Sequence, residues 1–277
     1  MLRRRIVIGI LALLAWGGAN LFAWIYLERR DLRIRAEGAG VPYELISRFE
    51  DRTATVTAGG HVRGTLSYRL FQPPELESGR LYPVILYLHG AGERGNDNMR
   101  QIRGIPRILT EPGIQAEFPS FVIAPQCPKG MQWSNRSAFD DEETCDGLTV
   151  ALAAVDEVLA EYPADPDRVY VIGFSMGGFG AWKLAAREPK RFAAVVPIAG
   201  GGNPEWAPRL VNVPIRAVHG AADDVVPVEQ SREIIAAIRA AGGSPRYDEF
   251  PGAPHSSWRT LFANPSKFLR WLHQQAR

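Results

Sequence analysis

From residue 50 onward the chain alternates between short, unbroken apolar runs and longer stretches with apolar positions at helical spacing. The runs are Pro83-Val84-Ile85-Leu86-Tyr87-Leu88, Phe121-Val122-Ile123-Ala124, Val169-Tyr170-Val171-Ile172, Ala193-Ala194-Val195-Val196-Pro197-Ile198 and Ile215-Arg216-Ala217-Val218. Strands without polar alternation are covered on both faces, as in a parallel sheet between helix layers. Residues 245–250 supply a last strand. Ahead of these, 52–57 and 61–71 read as two strands joined at Ala58-Gly59-Gly60, a turn signal that predicts a hairpin. Helical spacing covers 148–162, 176–187, 229–241 and 261–275, the first three ending at Pro163, before Pro189 and at Gly242-Gly243. Strands alternating with helices predict an α/β fold: a mostly parallel central sheet with an antiparallel N-terminal hairpin and helices on both faces. The short connection over 199–213 leaves no room for a large lid domain, which implies an open cleft.

The first thirty residues follow a different pattern. Met1-Leu2-Arg3-Arg4-Arg5 is basic, and residues 6–27 then carry no charge. A bilayer-spanning helix needs about 20 apolar residues, so 1–30 is expected to be a signal anchor, or a signal peptide cleaved near Gly17-Gly18-Ala19. Trp24 and Tyr26 stand where an interface belt would be. Arginines flank both ends, so the positive-inside rule sets no orientation. The usual behaviour of a first signal-like segment puts the remainder outside the cytoplasm, membrane-anchored and periplasmic or secreted. Residues 31–50 are then a connector and 51–277 a catalytic domain.

Composition changes this picture little. A chain of 277 residues with 46% hydrophobic and 22% charged positions fits one large domain with a sizeable core. A net charge of +2 without a long basic run gives no footprint for nucleic acid. Cys127 and Cys145 either form a disulfide, which an extracytoplasmic location permits, or remain two thiols. Two cysteines without a second ligand pair make a poor metal site, and no metal or organic cofactor is expected.

The chemistry is concentrated in Gly173-Phe174-Ser175-Met176-Gly177-Gly178, a Gly-x-Ser-x-Gly between a strand and a helix. A serine hydroxyl is a weak nucleophile and must project from a sharp turn to meet both its base and its substrate. The glycines allow strand and helix to approach, and the helix N-terminus favours developing negative charge. The order serine, acid, histidine then directs the search downstream. Of five histidines, only His255 and His273 follow the acid; His273 reads as a helix-surface residue, and His255 lies in a turn-rich segment suited to a catalytic base. The acid is Asp223 or its neighbour Asp224. Oxyanion donors are the amide of Met176 and, after the strand ending at Leu88, that of Ala91 in His89-Gly90-Ala91-Gly92. His89 is expected to brace that loop. The Gly90-Ala91-Gly92-Glu93-Arg94-Gly95 string also spells a dinucleotide fingerprint, but Asn96-Asp97-Asn98 does not open a helix. Trp133 and Trp258 are candidates for the pocket wall, with ordinary packing as the alternative.

These motifs, with Pro125-Gln126-Cys127-Pro128, Gly220-x-x-Asp223-x-x-Val226-Pro227 and His255-Ser256-Ser257-Trp258, resemble the prolyl-oligopeptidase-like and polyhydroxybutyrate-depolymerase-like esterases of the α/β-hydrolase superfamily. The likeness covers roughly residues 50–275. It favours Asp223 as the acid and implies an α/β-hydrolase fold. It also implies a serine hydrolase acting on a small or oligomeric carboxylic ester through an acyl-enzyme. The chain has no room for the propeller of true prolyl oligopeptidases. A peptidase or amidase with the same triad, and an inactive membrane-tethered binding protein, are the alternatives.

Overall fold

The computed structural model describes residues 26–133 and 146–277. Most of the apolar run over 6–27, and Cys145 with any bridge to Cys127, lie outside the described residues. The chain divides into two compact units, Met1–Ser47 and Arg48–Arg277. In the first, residues 26–39 are helical and Tyr43–Ile46 adds one turn, so much of the expected connector is helix. Its Glu, Arg and Leu residues are good helix formers, and Arg35 lies 3.9 Å from Asp31 one turn earlier. Gly40, at φ 66°, ends the helix, and the Val41 amide donates back to the Ala36 carbonyl at 2.8 Å. Among the described residues no helix is long and apolar enough to cross a membrane.

Among the described residues the second unit is built on eight strands. These are β1 (Glu50–Ala58), β2 (His61–Phe71), β3 (Tyr82–Leu88), β4 (Phe121–Pro125), β5 (Ala164–Phe174), β6 (Ala194–Ile198), β7 (Arg216–Gly220) and β8 (Arg246–Phe250). Their spatial order is β1-β2-β4-β3-β5-β6-β7-β8. β1, β2 and β4 pair antiparallel, and every other neighbour is parallel. This is the mixed, mostly parallel sheet that the hydrophobic pattern predicts. Gly59 and Gly60, both at positive φ, make the β1–β2 turn that suits strand twist. All residues of β3, β4 and β6 are buried, as their unbroken apolar runs require.

Four longer helices cover the sheet: α1 (Gly147–Glu161), α2 (Met176–Arg187), α3 (Glu229–Ala240) and α4 (Pro265–His273). Alternate residues of β5 face opposite layers. Val169 and Val171 join one core with Leu148 of α1, Trp182 of α2 and Ile234 of α3. Tyr170 points the other way, its ring 5.9 Å from His273 of α4 and its hydroxyl donating to the Gln275 carbonyl. Two boundaries differ from the sequence pattern. β5 begins at Ala164, where it pairs with Tyr82, ahead of the apolar run. The expected 261–275 helix is broken: one turn covers Trp258–Leu261, and α4 restarts at Pro265, whose lack of an N–H costs nothing at N1, under an Asn264 cap. Between β6 and β7 there is only a loop, a 3-10 turn and the short helix Ala207–Leu210.

The β5–α2 junction is the tightest point. A Cβ on Gly173 would stand 2.0 Å from the Gly177 carbonyl oxygen, and one on Gly177 would stand 1.9 Å from that of Leu88. Both neighbours are backbone and cannot swing away. Gly177→Ala is expected to cost about 3 kcal/mol or more, or to block folding. Gly113→Ala, where a Cβ meets nothing within 4 Å, should leave stability nearly unchanged. Urea unfolding followed by circular dichroism measures both.

Candidate active site

Ser175 occupies the turn between β5 and α2 at φ 54°, ψ −116°, a conformation that L-residues avoid. Its amide donates to the Ile198 carbonyl of β6 at 2.8 Å, which fixes the turn to the neighbouring strand. The hydroxyl therefore projects at the carboxyl edge of the sheet. His255 arrives there on the loop after β8, its Nε2 2.9 Å from Ser175 Oγ. Its Nδ1 lies 2.8 Å and 3.0 Å from the two carboxylate oxygens of Asp223, on the loop after β7. A carboxylate only accepts, so Nδ1 carries the ring proton and Nε2 is free to accept from Ser175.

The Asp223 side chain is inaccessible to solvent. Burial pushes its carboxyl up, but the Val226 amide, the His255 ring and the Val225 amide outweigh that and hold it below the ordinary value. Both amides donate to Oδ1 at 2.9 Å. Asp224, the competing carboxylate, is exposed. The two loops are clamped by main chain: Ala222 N–H donates to the Ala253 carbonyl, and Ala221 N–H to that of Phe250. Gly220 makes this possible, because a Cβ there would lie 2.2 Å from the Ala253 oxygen.

The other side of the site is the loop after β3. Leu88 pairs with Gly173, so this loop emerges beside the Ser175 turn. Ala91 opens a 3-10 turn, and among the described residues neither its amide nor that of Met176 donates to a backbone carbonyl. His89 is fully buried beneath them, Nδ1 at 2.6 Å from the Gly90 carbonyl and Nε2 accepting the Cys127 amide at 2.9 Å. Burial drops its pKa to about 4, so it is a neutral brace. Gln126 adds a second tie, donating to Glu93 O and Asp97 Oδ1 while accepting the Asn98 amide.

Trp133 does not line an open pocket. It is fully buried, and its indole N–H donates to the His89 carbonyl at 2.9 Å, so it supports the loop from within. Trp258 is half-buried, edge-on to Phe174, whose ring packs 5.1 Å from that of His255. Phe174 and Gly220 stand in the sequence motifs without an assigned role, because each acts through residues far along the chain. His273 is not a surface residue: it packs on Phe118 and Tyr170, with Nε2 3.1 Å from Ser120 Oγ. A cavity of about 530 Å³ opens one turn along α2 from Ser175, lined by Phe179, Asn203, Trp206, Pro227, Gln230 and Glu233 among others. Among the described residues, no cluster of three or more His, Cys, Asp or Glu is placed to hold a metal.

The sheet order, with its antiparallel start and the sharp strand-to-helix turn at Ser175, defines the class, the α/β-hydrolase fold. Residues 83–267 match the Dienelactone hydrolase family, and the chain belongs to that family. It is 30% identical over 186 residues to "Putative esterase NocK" of Nocardia uniformis subsp. tsuyamanensis, a match covering 65% of this chain and 52% of that protein. Over 86 residues it is 38% identical to poly(3-hydroxyalkanoate) depolymerase C of Paucimonas lemoignei, covering 29% of this chain and 20% of that protein. Each relative is thus matched over about half its length or less. The crystal structure of a thermostable esterase superposes with a TM-score of 0.76 at 35% identity, over 84% of this chain and 64% of that one.

His273, like His89, is depressed to about 4, by burial and then by the charge of Arg168. An unfolded histidine titrates near 6.5, so between that value and about 4 the unfolded chain holds protons that the folded chain refuses. Stability should fall as pH drops through this window, by at most about 3 kcal/mol per histidine. His273→Gln should flatten the slope by about one proton, as read from urea midpoints between pH 4 and 7.

Proposed function

We propose that Ser175, His255 and Asp223 are the catalytic triad of a serine hydrolase that cleaves carboxylic esters through an acyl-enzyme. The carrying observation is the unbroken chain of contacts, Ser175 Oγ to His255 Nε2 at 2.9 Å and His255 Nδ1 to Asp223 at 2.8 Å. His255 takes the Ser175 proton as Oγ attacks the ester carbonyl, and Asp223 stabilises the imidazolium that forms. The amides of Met176 and Ala91 hold the oxyanion. His255 then protonates the leaving alcohol, and water releases the acyl group by the reverse steps. No metal or organic cofactor takes part in this scheme. An ester is favoured over an amide by the likeness to a thermostable esterase across most of this chain. Phe174 packs on His255 and Trp258 on Phe174, and the short β6–β7 connection, which carries no lid insertion, suits a small or oligomeric ester. The same proposal keeps residues 1–30 as a signal anchor or signal peptide that carries the domain outside the cytoplasm, on the strength of the uncharged run over 6–27.

Ser175→Ala should lower kcat/KM for p-nitrophenyl acetate by roughly 10⁴–10⁶-fold. Asp223→Asn should lower it by roughly 10³–10⁴-fold, with Asp224→Asn close to wild type. A fluorophosphonate probe should label the wild-type protein and not Ser175→Ala. Near-normal turnover by Ser175→Ala would refute the triad. Absent labelling of folded wild-type protein favours a binding protein, and faster turnover of anilides than esters favours a peptidase.

A further inference from the structure

His219, the penultimate residue of β7, has no solvent exposure and takes no part in the proton transfers above. Its Nδ1 is 2.7 Å from Ser231 Oγ on α3. Its Nε2 is 3.0 Å from the Val226 carbonyl and 3.2 Å from Asp223 Oδ2. Ser231 Oγ in turn lies 2.8 Å from the Gly200 carbonyl, in the loop after β6. The Val226 residue is therefore gripped on both sides: its carbonyl faces His219, and its amide donates to Asp223 Oδ1. Asp223 Oδ2 lies between two imidazole nitrogens, His255 Nδ1 and His219 Nε2.

Resting on the triad reading above, we infer that His219 is a positioning residue for the catalytic acid. It ties β7, the Asp223 turn and Ser231 of α3, which reaches the loop after β6, into one polar frame. Without the Nε2 donor the Val226 carbonyl loses its buried partner, the turn relaxes, and the carboxylate no longer meets Nδ1 of His255 squarely. An unmade buried hydrogen bond is costly, so the turn is held firmly while the frame is whole. Substrate does not touch His219 in this arrangement, so its loss acts on the chemical step and leaves binding alone.

The test uses the amide side chains as partial copies of the ring. Glutamine places an N–H near the Nε2 position, and asparagine places one near Nδ1 only. His219→Asn should lower kcat for p-nitrophenyl acetate by about 10–100-fold with KM within about twofold, and His219→Gln should recover to within about threefold of wild type. Ser231→Ala should give a smaller loss, about 3–10-fold, and serves if His219→Asn does not fold. In an Asp223→Ala background neither change should cost anything more, because there is no acid left to position. Equal losses in both backgrounds, a loss confined to KM, or no loss in folded variants would overturn the role. Ser175→Ala is assayed beside them. Activity there ends the triad reading itself, whereas a dead Ser175→Ala with additive His219 effects overturns only the positioning role.

Discussion

The arrangement of the site depends on one backbone contact, that of Gly177 against the carbonyl of Leu88. It holds the start of α2 against the end of β3, two elements far apart in sequence that the pairing of β3 with β5 brings together. Because β3 and β5 run parallel and in register, the 89–95 loop and the Ser175 turn leave the sheet at the same edge. β6 contributes the Ile198 carbonyl to that turn, and β7 and β8 deliver Asp223 and His255. Crevices beyond the carboxyl ends of parallel strands are where open α/β sheets hold their ligands. Here the crevice exists because two residues lack side chains.

A second constraint lies under the 89–98 loop. Arg69, His89, Asn98, Gln101 and Gln126 are all buried, an unusual density of polar groups. Apart from Gln101 Oε1, which has no partner among the described residues, they are answered by one another, by Asp51 and by main chain: Arg69 Nε donates to the Asn98 carbonyl, and Asn98 Nδ2 to Asp51 and to the Tyr68 carbonyl. Asn98 sits at φ 51°, which asparagine tolerates better than most residues. A buried polar group must find its partners in one geometry, so such a network fixes a loop more sharply than apolar packing does. The Pro125-Gln126-Cys127-Pro128 segment is thereby explained as the floor of the 89–98 loop.

Much of this was legible in the sequence because its signals are local. Unbroken apolar runs mark buried strands, and Gly-x-Ser-x-Gly after such a run marks a sharp strand-to-helix turn. Chain order and loops after strands point to His255 and to Asp223 or Asp224, and only the family resemblance favours Asp223, the one the structure sets beside His255. The start of β5 was not legible, since Asp165-Pro166-Asp167-Arg168 reads as a turn and only Tyr82 across the sheet makes a strand of it. Trp133 reads as either core packing or a pocket wall, and its contact with the His89 carbonyl depends on a fold that brings together residues 44 apart in the chain. His273 looked exposed because it ends a helix, yet its ring turns inward onto Phe118 and Tyr170. Gly220, Phe174 and His219 share the same character: each matters through a neighbour that linear distance conceals.

The backbone angles at Ser175 carry a last consequence. A side chain at such a position stores about 1–3 kcal/mol that glycine would release. Stability and reactivity therefore pull in opposite directions at this one site. Any search that ranks variants by resistance to heat or denaturant alone would drift toward glycine here, and would hand back a sturdier protein without the proposed nucleophile.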